Sequence, residues 1–362
     1  MTPPPMTLIN QRLADASVRS AALSMKRLPR LAHALLTVCA GYQSLQDEMN
    51  RAELSYRFES WHDRTKTPEM SRAKILVIDG NRAATCAQQV AAGGQPTGEA
   101  YAQVLQRLAE VSCDIVRPAD AEVRFAPGTG LSSYDGVAIT GSALNVYDGG
   151  VHIERQIELA RAVFAAGMAF FGSCWGLQVA VCAAGGRVRR NPRGREFGFA
   201  RRIELGEAGR RHEMFMGKPS VFEAITVHRD DVDQLPDGAV VLATNDMGLQ
   251  ALELRHARGT FWGVQYHPEY NYDDLAATAL RYGEALIGDR LFVDRVELEA
   301  FIADMRLLRQ DHRDRRLTWK HGLGAAMQDE AIKLAELRNW LQQQVLPHAR
   351  GATEARRASR TR

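Results

Sequence analysis

A short apolar stretch, Met168 to Phe171, runs directly into Gly172-Ser173-Cys174-Trp175-Gly176. A second apolar stretch, Leu177 to Ala184, follows without a gap. The first reads as a buried strand and the second as a helix, so the five residues between them must turn sharply. A strand, a sharp turn and a helix make the setting of a nucleophile elbow. The flanking glycines have a steric reason: the elbow strains its central residue and brings neighbouring backbone close, leaving no room for side chains. The turn also sets the Cys174 sulfur at a helix N-terminus, where free N–H groups and the helix dipole favour a thiolate. The plainer alternative is a small buried cysteine packing like a hydrophobe in an α/β core.

A nucleophilic thiol needs a base, and the base needs a partner that fixes its tautomer. Further along the chain, the apolar strand Phe261-Trp262-Gly263-Val264 leads into Gln265-Tyr266-His267-Pro268-Glu269, with His267 ninety-three positions after Cys174. His267 is the candidate base. Glu269 can reach the far imidazole nitrogen, and Pro268 stiffens the chain between them. A lone histidine is usually structural, but His-Pro-Glu at a strand end, in a chain with a cysteine elbow, points to a Cys-His-Glu triad.

Together these motifs make the chain resemble the class I (triad) glutamine amidotransferases, whose pattern is G-x-C-x-G-x-Q followed by H-P-E. The resemblance is nearest to the amidotransferase part of GMP synthase and its stand-alone relatives, and it runs from Lys74 to about Gly288. It implies an α/β fold, flavodoxin-like, with a largely parallel sheet covered by helices on both faces. It implies oxyanion donors on the backbone of Gly141, Ser142 and Trp175, and a pocket formed by Gln178 and His228. The family usually has proline where Ala143 stands, so this loop loses that source of rigidity. Asn191-Pro192-Arg193-Gly194-Arg195-Glu196-Phe197-Gly198 resembles the family's N-x-x-G-x-E-x-G segment. Thr226-Val227-His228-Arg229-Asp230 resembles its S-H-x-D loop, with His228 as a pocket wall rather than a second base.

Periodicity supports the same architecture. Strands are expected at Ile75 to Ile78, Asp114 to Arg117, Val137 to Thr140 and Ala239 to Ala243. Helices are expected at Glu99 to Val111, His152 to Ala166 and Tyr272 to Leu286, with a glycine-rich loop over Ala91 to Gly98. Strand–helix alternation of this kind gives a parallel sheet whose ligands bind at the carboxyl ends of its strands, where Gly141, Cys174 and His267 fall.

Outside this core the pattern changes. Residues 1–69 read as an N-terminal extension, Pro-rich at its start and then helical, with a basic stretch over 12–30; Met70 directly precedes the first strand. The amidotransferase-like domain spans 70–290. Residues 291–349 read as a helical extension, with helices over 293–309 and 329–345. There Trp319, Leu323, Leu337 and Trp340 supply apolar mass to cap the main domain. Residues 350–362 form a basic tail, with five Arg against one Glu.

Composition narrows the partners. A net charge of +3 gives no argument for nucleic acid, and no apolar run approaches the length of a membrane span. The five cysteines, 39, 86, 113, 174 and 182, show no C-x-x-C or zinc spacing. Free thiols fit a reducing, cytoplasmic setting. No metal or cofactor is expected for amide hydrolysis by the triad. The chain has neither a P-loop nor the S-G-G-x-D-S loop with which GMP synthases use ATP. The expected function is hydrolysis of the glutamine side-chain amide, with ammonia passed to a synthetase in trans. The alternatives are a stand-alone γ-glutamyl hydrolase or peptidase, which resembles the same group, and a non-catalytic thiol-sensing or ligand-binding module. The intact Cys, His and Glu set argues against the last.

Overall fold

The structure is a computed structural model that describes residues 72–125 and 129–351. The expectations for residues 1–69 and for 352–362 lie outside the described residues.

Apart from Lys74, the first strand, β1 (Ala73–Ile78), is apolar, and its side chains alternate between two cores. Ile75 and Val77 pack with Tyr101, Val104 and Leu105 on one side. Leu76 and Ile78 pack with Ile153, Val163 and Phe164 on the other. A strand apolar on both faces needs cover on both faces. The helices α1 (Ala83–Ala91), α2 (Thr97–Leu108), α3 (Val151–Ala166) and α4 (Trp175–Ala183) belong to this layered half. Between them run β2 (Val111–Val116), β3 (Gly136–Ile139) and β4 (Ala169–Ser173).

The later strands are β5 (Arg187–Arg190), β6 (Glu196–Leu205), β7 (Val221–His228), β8 (Asp230–Gln234), β9 (Ala239–Asn245), β10 (Gly248–His256) and β11 (Gly259–Val264). A short helix, α5 (Glu207–Arg211), follows β6. The main sheet has nine strands among the described residues, ordered β2-β1-β3-β4-β11-β10-β9-β6-β7. It is parallel from β2 to β11 and antiparallel from β11 to β7. β5 and β8 form a separate antiparallel pair. β4 lies between β3 and β11, with Gly172 opposite Ile139 on one side and Gly263 on the other. The carboxyl ends of β3, β4 and β11 are therefore adjacent, and each leads within three residues to Gly141, Cys174 or His267.

The C-terminal part continues through α6 (Tyr272–Gly288), α7 (Arg295–Gln310), α8 (Arg315–Lys320), α9 (Ala325–Gln328), α10 (Glu330–Lys333) and α11 (Ala335–Trp340). Asn271 and Asp274 close a capping box at the start of α6, and Asp294 caps α7. After α11 the chain makes a π-helical turn over Leu341–Val345. Leu337, Trp340, Leu341 and Val345 are fully buried in the same core as Ala138 and Phe171. Each such side chain contributes about 1.5–3 kcal/mol by leaving water. Trp340 lies 5.7 Å from the Phe171 ring, and a Cβ on Gly136 would meet Val345 at 2.8 Å. The last helices thus form part of the cover on one face of the sheet.

Five local points depart from the sequence reading. Ala83–Ala91 forms α1, which its mixed polar and small residues did not reveal. The glycine-rich loop is shorter than expected, because α2 begins at Thr97 after Pro96. α2 ends at Leu108 rather than Val111, because Val111 opens β2 and pairs with Ala73. The helix expected over 329–345 breaks at Leu334. Finally, Trp319 is 87 % exposed and docks on nothing described, while its neighbours Leu317 and Thr318 point inward from the short α8.

Candidate active site

Cys174 sits between β4 and α4 with φ 52° and ψ −102°, a conformation that L-residues rarely adopt. Such a backbone stores about 1–3 kcal/mol of strain. Its neighbours explain how it is held. A Cβ on Gly172 would lie 2.6 Å from the backbone of Gly176, and one on Gly176 would lie 2.5 Å from the Ile139 carbonyl oxygen. The Cys174 N–H donates to Val264 O at 2.7 Å, tying the elbow to β11. Cys174 is 4 % exposed, and its sulfur lies 3.7 Å from Val227 O. The elbow expected from the glycine spacing is present as geometry.

His267 follows β11, and its N–H donates to Ile225 O at 2.8 Å. Its Nδ1 is 2.8 Å from Glu269 Oε1, and both side chains are only 2 % exposed. The Tyr270 ring stacks on the imidazole at 4.1 Å between centroids. Burial works against charge on His267, but the Glu269 carboxylate and a hydrogen bond with Cys174 outweigh it. The imidazole pKa is pushed up to about 10. His267 thus lies beside both Glu269 and Cys174 at the ends of the central strands. The second carboxylate oxygen, Glu269 Oε2, is buried with no hydrogen-bond partner among the described residues.

The loop after β3 carries Gly141 and Ser142, and the chain replaces the missing proline by a different device. Asn81, at the end of β1, donates from Nδ2 to Gly141 O at 3.2 Å. Its Oδ1 accepts from the Ala143 N–H at 3.0 Å, a donor that proline would lack. The Ser142 hydroxyl donates to Gly80 O at 2.9 Å and accepts from the Leu144 N–H at 3.2 Å. The loss of rigidity expected from Ala143 is therefore offset by cross-links to the end of β1. Trp175 opens α4; its indole N–H donates to Gln156 Oε1 at 2.7 Å, and its ring presses against Gly80.

Gln178 and His228 share one cavity with Cys174. Its volume is about 270 Å³, and its wall also includes Ser142, Arg195, Arg229, Asp230 and Tyr282. Gln178 Nε2 donates to Gln265 Oε1 at 3.3 Å. His228 is tied down on both nitrogens, by Glu196 Oε2 at 2.8 Å and by the Asp230 carbonyl at 3.0 Å. Glu196 also accepts from Asn245, Gln250 and Thr226. His228 lines the cavity with both ring nitrogens occupied. Arg195 binds Asp289 at 2.8 Å and lies 5.4 Å from the Tyr282 ring. Burial raises the pKa of Asp230, whose Oδ1 accepts from the Tyr147 hydroxyl at 2.9 Å.

Sequence reasoning did not assign Asn81, Arg195, Asp230, Tyr270 or Tyr282. Arg195 and Asp230 lie inside segments already singled out, so a reading of every polar residue in those segments would have found them. The others gave no local signal. Among the described residues no group of three or more His, Cys, Asp or Glu side chains is placed to hold a metal ion. No described helix is long and apolar enough to cross a membrane.

Known proteins share this architecture. The family model for class-I glutamine amidotransferase matches residues 98–281. The chain is 34 % identical over 286 residues to a gamma-glutamyl-L-1-hydroxyisopropylamide hydrolase of Pseudomonas sp, covering 78 % of this chain and 96 % of that protein. It is 32 % identical over 187 residues to the GMP synthase of Thermomicrobium roseum, covering 51 % of this chain but only 32 % of the synthase. A crystal structure of a glutamine amidotransferase from Thermotoga maritima superposes with a TM-score of 0.53 at 18 % identity, over 76 % of this chain and 98 % of that one. With its layered sheet, its elbow and its extended match to the family model, the chain belongs to the class-I glutamine amidotransferases and is an amide-hydrolysing enzyme.

Proposed function

We propose that the chain is a stand-alone γ-glutamyl amide hydrolase that works through a covalent Cys174 thioester. The observation that carries this reading is the alignment of a strained, cavity-facing Cys174 with a buried His267–Glu269 pair at 2.8 Å. The Cys174 thiolate attacks the γ-carbonyl carbon of the substrate. The oxyanion that forms is stabilised by backbone N–H groups of Gly141 or Ser142 and of Trp175. The tetrahedral intermediate collapses, the C–N bond breaks, and the His267 imidazolium gives its proton to the departing amine or ammonia. His267 then takes a proton from water as the water attacks the thioester, and glutamate leaves with the thiol restored. Glu269 holds the Nδ1 proton of His267 and stabilises the imidazolium.

The cavity suits the amino-acid end of such a substrate. Arg195 and Arg229 offer cations for an α-carboxylate, Asp230 offers an anion for an α-ammonium group, and Gln178 and His228 complete the wall. The hydrolase of Pseudomonas sp, matched over almost its whole length, favours this reading over an ammonia-supplying subunit. The chain corresponds to only a third of a GMP synthase, whose name nonetheless supports a second reading: glutamine hydrolysis with ammonia passed to a synthetase in trans.

The deciding experiment incubates the protein with glutamine and with γ-glutamyl amides of small amines, and follows glutamate together with ammonia or amine. Faster release of glutamate from the substituted amides supports the stand-alone hydrolase. Turnover of glutamine alone, accelerated by an added synthetase, would replace it with the second reading.

A further inference from the structure

The loop that carries His267 and Glu269 is held from behind by the C-terminal helices. The Tyr266 hydroxyl donates to Glu336 Oε1 at 2.5 Å, one residue before His267. The Lys333 ammonium donates to the Tyr270 carbonyl, one residue after Glu269. Lys333 and Glu336 flank the break at Leu334 between α10 and α11. Glu336 is itself fixed by Lys218 at 2.7 Å, with the two side chains 0 % and 2 % exposed, and Lys218 also donates to the Lys333 carbonyl at 3.3 Å. A mere lid over apolar surface would not need two polar contacts that bracket the two residues of a proton relay.

Glu269 gives only one oxygen to His267, while Oε2 is buried without a partner among the described residues. Behind it lies a second cavity of about 390 Å³, lined by Glu269 and by Lys333. Lys333 thus shares a cavity wall with Glu269, and the two influence each other electrostatically. The ring of Tyr270, whose carbonyl Lys333 holds, is the one stacked on His267.

We infer that Lys333 is a positioning residue for the His267–Glu269 pair: it anchors the loop through the Tyr270 carbonyl and places a cation behind the catalytic carboxylate. This rests on the triad reading above. The charges that Lys333 faces are Asp274 at the start of α6, Glu269 on the loop, Glu330 on its own helix and Lys218 before β7. Arg107, Arg309 and His312 form other parts of the cavity wall. Arg107 is occupied with Glu330 and Arg309 with Asp273. Burial lowers the Lys333 pKa to about 8, although Asp274 and Glu269 favour its charged form. Its charge thus changes in a range where activity can be measured.

The test compares the wild type with Lys333→Met, Lys333→Gln and Lys333→Arg. Gln can keep a hydrogen bond to the Tyr270 carbonyl but has no charge; Met loses both; Arg keeps the charge. Two quantities are read: kcat and KM on a γ-glutamyl amide, and the rate at which iodoacetamide labels Cys174 against pH, followed by mass spectrometry. Removing a cation makes the site hold its proton more tightly. The alkylation midpoint of both Met and Gln variants should therefore rise by about half a unit or more. Lys333→Met should lose about tenfold or more in kcat with KM within about twofold, and Lys333→Arg should recover most of the rate. Alkylation profiles of the Met and Gln variants that superimpose on the wild type would overturn the inference, whatever happens to kcat. If Lys333→Met does not fold, the Gln variant decides by the same profile. Alkylation needs no substrate, so failure to find a γ-glutamyl substrate leaves this reading testable. A Cys174→Ala protein that stays active would instead overturn the triad itself.

Discussion

Gly141 lies directly against the His267 ring: a Cβ at position 141 would come within 2.4 Å of His267 Cε1. The loop after β3 and the base after β11 are thus fitted to each other across the end of β4. The proposed oxyanion loop and the proposed base therefore share one steric boundary.

Gly141→Ala is the direct probe of that boundary. The added methyl must push either the loop or the imidazole, and overpacking of this kind costs about 1–3 kcal/mol. A displacement near 1 Å costs about 100-fold in rate. The expected outcome is a folded protein with a lower melting temperature and kcat reduced by about two orders of magnitude. Wild-type kcat in this variant would show that the donors and the base are not coupled.

The backbone strain at Cys174 can be separated from its chemistry. Cys174→Ala and Cys174→Gly both remove the sulfur, and both should lose turnover by orders of magnitude. They differ in that glycine tolerates a φ of 52° while alanine does not. The Gly variant should therefore melt higher than the Ala variant, by a margin corresponding to about 1 kcal/mol. Labelling of the wild type by a glutamine-like electrophile should fall on Cys174. Burial raises the thiol pKa of Cys113 and of Cys182 to about 11, and burial with the Asp79 charge raises that of Cys86.

Asn81→Ala tests whether a side chain does the work of the absent proline. It removes the Asn81 hydrogen bonds to the Ala143 N–H and to the Gly141 carbonyl, which the Thr140 hydroxyl still reaches at 2.9 Å, at about 0.5–1.5 kcal/mol for each bond lost. Amide turnover should fall by about tenfold or more, because the loop would no longer be held ready for an oxyanion. Alkylation of Cys174 by iodoacetamide passes through no tetrahedral oxyanion and should be unchanged. A parallel loss of both rates would move the role of Asn81 from the loop to the thiol.

What could be read in the chain beforehand follows from the range of each constraint. The elbow is local: Gly172 and Gly176 are demanded by contacts with neighbouring strand and helix, so five residues suffice to show it. His267 and Glu269 are two apart and meet by themselves. Asn81 meets Gly141 sixty residues away, and Lys333 meets Tyr270 sixty-three residues away, so no pattern in either segment announces the contact. Trp319 and Trp340 were equivalent as apolar mass, yet one is 87 % exposed and the other fully buried. Trp340 is fixed by the Phe171 face of the sheet, which only the folded chain supplies.

Glu269→Gln distinguishes a catalytic triad from a structural pair. The substitution keeps the shape of the side chain and removes its charge. In the wild type the charge of Glu269 and the hydrogen bond with Cys174 hold the His267 pKa at about 10 despite burial. A histidine whose folded pKa is raised adds stability that is present in full below its ordinary value near ~6.5 and is lost as the pH rises through about 10. The melting temperatures of wild type and variant should therefore differ most at and below neutral pH and converge above pH 10. Without the carboxylate the imidazolium has no counter-charge, so the thiolate–imidazolium pair gives way to a neutral thiol and a neutral imidazole. Cys174 alkylation near neutrality should then fall. Hydrolysis should drop by about 100-fold or more, with substrate binding little changed. If the alkylation profiles superimpose while only thermal stability changes, Glu269 is not coupled to the sulfur through His267, and the triad is withdrawn.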